Sequence, residues 1–159
     1  MSRARRPGRN DGALAAAGLE TILIGNAAAA LHGAPVTPID FHFLYRASKP
    51  NEGKIRRFAE LLDAELTQPF AAVSSVYRVY RSNPKLLVGL VCQIHGGSYN
   101  GLRSRSEGVE IGGRRVVVAS LVDIIKSKKE ANRPKDLAML YVLEKTLEER
   151  IKAETPEPR

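Results

Sequence analysis

The chain of 159 residues holds a single cysteine, Cys92. That excludes an internal disulfide framework and fits a reducing compartment. Long apolar runs are missing too: no uninterrupted stretch reaches the roughly 18 residues that a membrane-spanning helix needs. The start, MSRARRPGRN, sets four arginines before an Ala-rich run, the order of a signal peptide, but Asp11 and Glu20 interrupt that run. A cytoplasmic protein without a membrane partner is expected. Acids are scarce in the middle of the chain, with no Asp or Glu between Glu65 and Glu107. Chemistry placed there has no carboxylate to work with.

Positive charge is what the chain has in excess. Lys and Arg number 25 against 17 Asp and Glu, giving a net charge of +8 and a pI near 9.9. Such a balance favours a polyanionic partner, nucleic acid or a nucleotide phosphate. A hydrophobic content of 43% over this length is enough for one ordinary core. The expected organisation is a disordered basic leader (1–11), one domain (12–152) and a loose tail (153–159).

Along the chain, a short helix over 13–19 stops near Gly18. An apolar strand (Ile22, Leu23, Ile24) ends on Gly25-Asn26, an alanine helix runs to His32-Gly33, and a strand over 39–45 carries Asp40. Ser48, Pro50 and Asn51 make a turn and offer caps for a helix over 52–66, where Ile55, Phe58, Leu61 and Leu62 fall at helical spacing. Residues 73–80 alternate imperfectly. The run 86–94 reads as a strand covered on both faces. The segment 95–107 shows no period. Residues 109–118 read as a hairpin turning at Gly112-Gly113. Ser120 caps a helix with Asp123 three residues on. Pro134 then opens a last amphipathic helix, with Asp136 near its positive end.

The chemical layout lies in residues 21–43, TILIGNAAAALHGAPVTPIDFHF. Nucleotidyl transfer needs two divalent metals, hence converging carboxylates. Two acids at i and i+2 of one strand share a face, and a third from the neighbouring strand completes the clamp. The triphosphate rests on backbone N–H groups where a helix starts after a Gly-containing turn. On these residues the chain resembles the polymerase-beta-like nucleotidyltransferase superfamily. Within it the chain looks most like the minimal AbiEii-like bacterial members, often found in toxin–antitoxin or phage-defence modules. The family's turn and acid pair read here as Ile24-Gly25-Asn26, thirteen residues, then Asp40-Phe41-His42. A second signature reads Lys128, Ala131, Arg133-Pro134-Lys135-Asp136. The resemblance spans about 19–144. It implies an α+β fold, a nucleotidyltransferase-like mixed β-sheet with helices packed on it and a C-terminal helical hairpin.

The resemblance also marks departures. Asp40 matches the first acid, but His42 stands at the second, and an imidazole cannot bridge two Mg²⁺ ions. The third acid falls on Gly89. Asn26 replaces the usual small residue of the phosphate turn. Each residue has a plainer reading: Asp40 as a strand-entry acid, His42 as a packed or surface imidazole. Lys128, Arg133 and Lys135 are either solvated helix ends or phosphate contacts, and Gly25 and Asn26 belong to the same phosphate reading. His42, Cys92 and His95 match no zinc spacing. Arg103, Arg105, Arg114 and Arg115 form a basic region with little aromatic interleaving, which favours backbone contact over base stacking.

The expected function is a nucleotidyltransferase-fold pseudoenzyme with a regulatory or toxin–antitoxin-type role, a partner protein, and affinity for NTP or RNA. It would require no cofactor. One alternative is an active enzyme moving NMP from NTP to an RNA or protein hydroxyl with Mg²⁺ or Mn²⁺. The other is a plain basic nucleic-acid-binding module.

Overall fold

A computed structural model of the chain describes residues 9–67, 76–94, 97–111 and 113–154. The leader before residue 9, the Gly112 half of the hairpin turn, His95 and the tail after residue 154 lie outside them. Helix α1 (Arg9–Ala17) precedes strand β1 (Thr21–Ile24), helix α2 (Gly25–Leu31) and strand β2 (Phe41–Tyr45). Helices α3 (Lys49–Glu52) and α4 (Ile55–Leu61) lead to strands β3 (Glu65–Thr67), β4 (Tyr77–Ser82) and β5 (Lys85–Val91). Helix α5 (Tyr99–Arg105), strands β6 (Glu107–Ile111) and β7 (Arg114–Val118), and helices α6 (Leu121–Ala131) and α7 (Pro134–Glu154) complete the chain.

The seven strands form one mixed sheet in the order β3-β4-β5-β2-β1-β7-β6. β2 runs parallel to β5 and β1 parallel to β7; the other pairs are antiparallel. Phe43, Phe58, Val79, Val88 and Leu90 fill the core beneath one face of the sheet at no more than 2% exposure. Burial of each such side chain contributes about 1.5–3 kcal/mol. Helix α2 packs on the end of β1 and β2, where Ala27, Ala28 and Ala29 present no bulk and let the backbones approach closely. α6 and α7 pack as a hairpin turned at Asn132, whose φ of 52° is left-handed. The result is the α+β architecture expected from the sequence, a mixed sheet with helices packed on it and a C-terminal helical hairpin. Among the described residues no helix is long and apolar enough to cross a membrane.

Helix ends follow local chemistry. After α2, Gly33 (φ 95°) donates to Ala30 O and Ala34 N to Ala29 O, the paired bonds of a Schellman stop. Gly18 closes α1 in the same way, through bonds to Ala15 and from Leu19 to Leu14. Ser120 caps α6: its hydroxyl accepts from Asp123 N at 3.1 Å.

Four expectations need correction. The helix expected over 52–66 is two helices and a strand. Asn51 is drawn inward, which breaks the run at Gly53. Asp63, left-handed at φ 54°, ends α4 with a third Schellman stop (Asp63 N to Glu60 O, Ala64 N to Ala59 O). The segment 95–107 contains α5, capped by the Ser98 hydroxyl and anchored by the buried Leu102. The strand expected over 39–45 begins at Phe41, so Asp40 sits in the bend before it rather than on it. The run 86–94 stops at Val91 and its faces are covered unequally: Leu86, Val88 and Leu90 are buried on one, whereas on the other Gly89 is buried and Leu87 and Val91 are only partly so. Helix α1 begins at Arg9 and α7 reaches Glu154.

Candidate functional site

A cleft of about 510 Å³ opens where β1 passes into α2. One wall is Ile24, Gly25 and Asn26; the floor is Ile39, Asp40 and His42. The facing wall comes from α6, the turn after it and the start of α7, with Ser127, Lys128, Arg133, Lys135 and Asp136. Ile94, Leu102, Ile124 and Met139 give the interior an apolar side. Seven residues singled out from the sequence therefore meet on one cleft: Gly25, Asn26, Asp40, His42, Lys128, Arg133 and Lys135.

Gly89, the eighth, lies on β5 directly across from His42. It is outside the cleft lining, yet the two positions given to lost acids are neighbours. His42 Nε2 is 2.8 Å from Asp40 Oδ2, and both side chains are partly exposed. The ring's other nitrogen, Nδ1, lies 3.0 Å from where a Cβ on Gly89 would stand. The imidazole thus fills the space that a side chain at 89 would need. Gly25, at φ 70°, sets the start of α2 beside the base of the same side chain: a Cβ there would lie 3.8 Å from His42 Cβ.

The facing wall is a charge cluster. Asp136 is 1% exposed. It accepts from Arg133 Nε at 2.6 Å, from the second Arg133 nitrogen at 3.3 Å, and from the Arg133 backbone N–H at 3.3 Å. Lys128 Nζ is 3.6 Å from its other oxygen. Burial pushes the Asp136 carboxyl up, but the Arg133 hydrogen bonds and charge, with Lys128, prevail and hold it below the ordinary carboxylate range. Burial lowers the Lys128 ammonium; Asp136 offsets this in part, while Arg133 and Lys135 push the same way as burial. Lys128 is a largely buried cation whose one counter-ion, Asp136 at 3.6 Å, is shared with Arg133. An anion entering the cleft would improve its environment.

Asp123 and Asp136 are cleft carboxylates that the sequence reading did not count as site residues. Asp123 is buried and held in two bonds by Arg105 Nε (2.9 and 3.1 Å) and by the Ser120 hydroxyl. Its capping position was visible in the sequence; its partner eighteen residues away was not. Nothing in the sequence marked the apolar side made by Ile94, Leu102 and Met139. Of the basic region, Arg105 is committed to Asp123, and Arg115 lies across Gly108 of the neighbouring strand. Cys92 bonds to Tyr45, whose hydroxyl is pushed above its ordinary range by burial first and then by that bond.

The donors do not fit a two-metal clamp. Asp40 is the one carboxylate of the expected set, it is bonded to His42, and the neighbouring acids are neutralised by Arg105, Arg133 and Lys128. Among the described residues no group of three or more His, Cys, Asp and Glu is placed to hold a metal ion. His95 of the imagined zinc set lies outside those residues.

No protein-family model matches the chain, and no curated protein sequence does. Solved structures do. JHP933 from Helicobacter pylori superposes with a TM-score of 0.55 at 20% identity, over 89% of this chain and 64% of its own length. A second H. pylori structure, provisionally assigned as a nucleotidyltransferase, gives 0.46 at 18% identity, over 76% of this chain and 53% of its own. The chain thus spans less than two thirds of either protein. At this identity the likeness to JHP933 shows a shared fold.

Proposed function

We propose that the chain is a nucleotidyltransferase-like protein whose metal site is retired and whose cleft is kept for binding nucleotide phosphate. It acts as an AbiEii-like bacterial pseudoenzyme, a single cytoplasmic unit over about 12–152 in a regulatory or toxin–antitoxin-type module with a partner protein. The observation that carries this reading is the pairing of His42 with Gly89. The two positions that the resemblance assigns to acids face each other with an imidazole and no side chain, leaving Asp40 alone. The binding half rests on Lys128: a desolvated ammonium beside Arg133 and Lys135 suits a phosphate. Nucleotide would enter against the apolar side of the cleft, with its phosphates toward α6 and α7.

The test has two arms. Purified protein is incubated with each α-labelled NTP, Mg²⁺ or Mn²⁺, and total RNA and lysate proteins as acceptors. Label transfer at the level of Asp40→Ala is expected. Turnover of about 1 per second or more, lost in Asp40→Ala, would establish an active enzyme using Asp40 and His42 on a softer ion. The second arm titrates a fluorescent ATP analogue. Saturable binding that is weakened about tenfold or more in Lys128→Met, the usual scale of a lost charge-assisted contact, is expected; equal binding by the variant removes the cleft reading.

A further inference from the structure

The pairing registers align Ile24, His42, Gly89, Arg78 and Thr67 in one row across five strands. The next row holds Leu87, Tyr80 and Glu65, and Ser82 pairs with Lys85 beyond it. Paired residues share a face of the sheet, so all of these side chains lie on the cleft side. α2 covers that face over β1 and β2. Over β3, β4 and the start of β5 the described residues leave it open: Thr67, Arg78, Ser82 and Lys85 are exposed and Tyr80 is 41% exposed, while Leu87 is half-buried and Gly89 lies buried beneath His42. The other side of the same strands is core, with Val79, Val88 and Leu90 at 0%.

We propose that this open face binds single-stranded RNA, with Tyr80 as a stacking platform and Arg78 and Lys85 on the phosphates. The proposal goes beyond the cleft reading and does not require it. Strand alternation sets Arg78, Tyr80 and Ser82 about 7 Å apart along β4, a cation, an aromatic and a hydroxyl in line. Neither Arg78 nor Lys85 is engaged in an ion pair of the described residues. A stacking ring on a flat surface suits splayed bases, which a duplex hides. The Thr67 and Ser82 hydroxyls offer hydrogen bonds to 2′-hydroxyl groups, which favours RNA over DNA. A protein partner would want more apolar area than the half-exposed Leu87 supplies. Glu60, Asp63 and Glu65 gather beside Tyr80 at the β3 edge and repel phosphates there. The strand therefore runs over β4 and β5 toward His42, to the floor of the cleft.

Fluorescence anisotropy with a labelled oligouridine tests this on the full chain, with thermal melting of every variant. Tyr80→Ala should weaken binding about tenfold or more and Tyr80→Phe should retain it. Arg78→Ala should weaken binding and reduce the salt slope by about one. Glu65→Gln should tighten it, and Arg114→Ala with Arg115→Ala should leave it unchanged. Titration of the ATP analogue should be the same in Tyr80→Ala as in wild type, which separates this face from the cleft. Failure of wild type to bind at low salt, or equal binding by Tyr80→Ala, overturns the proposal. So does loss confined to the Arg114 and Arg115 variant, and oligothymidine binding as tight as oligouridine overturns the choice of RNA.

Discussion

The His42 imidazole and Gly89 are mutually dependent, because the ring's Nδ1 lies 3.0 Å from the place of a Cβ at residue 89. Gly89→Ala requires the ring to give by a few tenths of an ångström, which acts on its 2.8 Å bond to Asp40. Removing a glycine from a strand can itself stabilise by about 0.4–1 kcal/mol, so the single variant is a poor reporter. The cycle of Gly89→Ala, His42→Ala and the double variant is a good one. A coupling of about 0.5–3 kcal/mol is expected from denaturant unfolding. Additivity within error would mean that the ring and the glycine do not compete. The same argument applies to Gly89→Asp: restoring that acid alone disrupts the floor, and it must be paired with His42→Asp.

Asp136 carries a pH dependence with a definite sign. Its folded carboxyl lies below the ordinary range despite burial, because Arg133 and Lys128 stabilise the charged form. The unfolded chain therefore binds its proton more readily than the native one, and stability rises with pH through the carboxylate range. The contribution is complete above about pH 5 and is lost as pH falls through the ordinary value near 3.9 toward the lower folded one. Asp136→Asn should flatten this part of the acid limb and cost about 1.5–3 kcal/mol at neutral pH, as for a hydrogen bond to a charged group. A variant whose acid limb overlays wild type would contradict the assignment.

Lys128 should behave differently. Burial already disfavours its charge, and Asp136 keeps Arg133 when the ammonium is removed. Lys128→Met retains the stem and relieves the desolvation, so stability should change by less than about 1.5 kcal/mol. Phosphate affinity should nevertheless fall. A large loss of stability would show that the ammonium is a structural partner of Asp136 instead.

What could be read from the sequence was local. The turn at Gly25, the alanines of α2, the Ser120 cap and Pro134 at the start of α7 each act within a few residues, and each stands in the structure as read. What escaped was set by distant partners. The break after α3 follows from Asn51 reaching Glu20, thirty-one residues back. α5 is short and mostly polar, and one buried leucine with a serine cap leaves little periodicity to see. The eight residues on which the sequence reading settled included seven of the cleft lining because they lie at the ends of strands and helices that the sheet order brings together. The apolar side of the cleft comes from four separate segments, and no spacing announces it.

Asn51 was expected as a turn or cap residue, and its side chain instead joins two strands. At 1% exposure its oxygen accepts from Glu20 N at 2.8 Å, and its nitrogen donates to Glu20 O at 3.0 Å and Arg46 O at 2.8 Å. Those backbone groups flank the start of β1 and the end of β2. Asn51→Ala leaves the part-buried Glu20 N and Arg46 O without this partner, while Glu20 O keeps Arg46 N at 3.2 Å, at about 1–3 kcal/mol for the unmet groups. Asn51→Asp should be at least as damaging, because a carboxylate can accept but cannot donate to the two carbonyls. Melting both variants tests this, and an aspartate variant as stable as wild type would refute the donor assignment.

His32 holds α2 to the C-terminal helix through a fixed tautomer. Its Nδ1 lies 2.6 Å from Arg150, and a guanidinium can only donate, so Nδ1 must accept. The proton then sits on Nε2, which donates to Ala119 O at 2.7 Å. Ala119 leads into the Ser120 cap and lines the cleft, so this relay ties the α2 wall to the α6 and α7 wall. Nitrogen-15 NMR of the imidazole at neutral pH should report the neutral ring with its proton on Nε2. The Nδ1-protonated form would break the argument, since it would place two donors face to face. Arg150→Met should leave the proton on Nε2, because Ala119 O can only accept, and should remove the tie to α7 while the 7% exposed ring stays packed. His32→Ala should cost more, about 2–4 kcal/mol, because it removes both a buried hydrogen bond and the ring's volume. A melting temperature unchanged by Arg150→Met would mean that the link to α7 is dispensable.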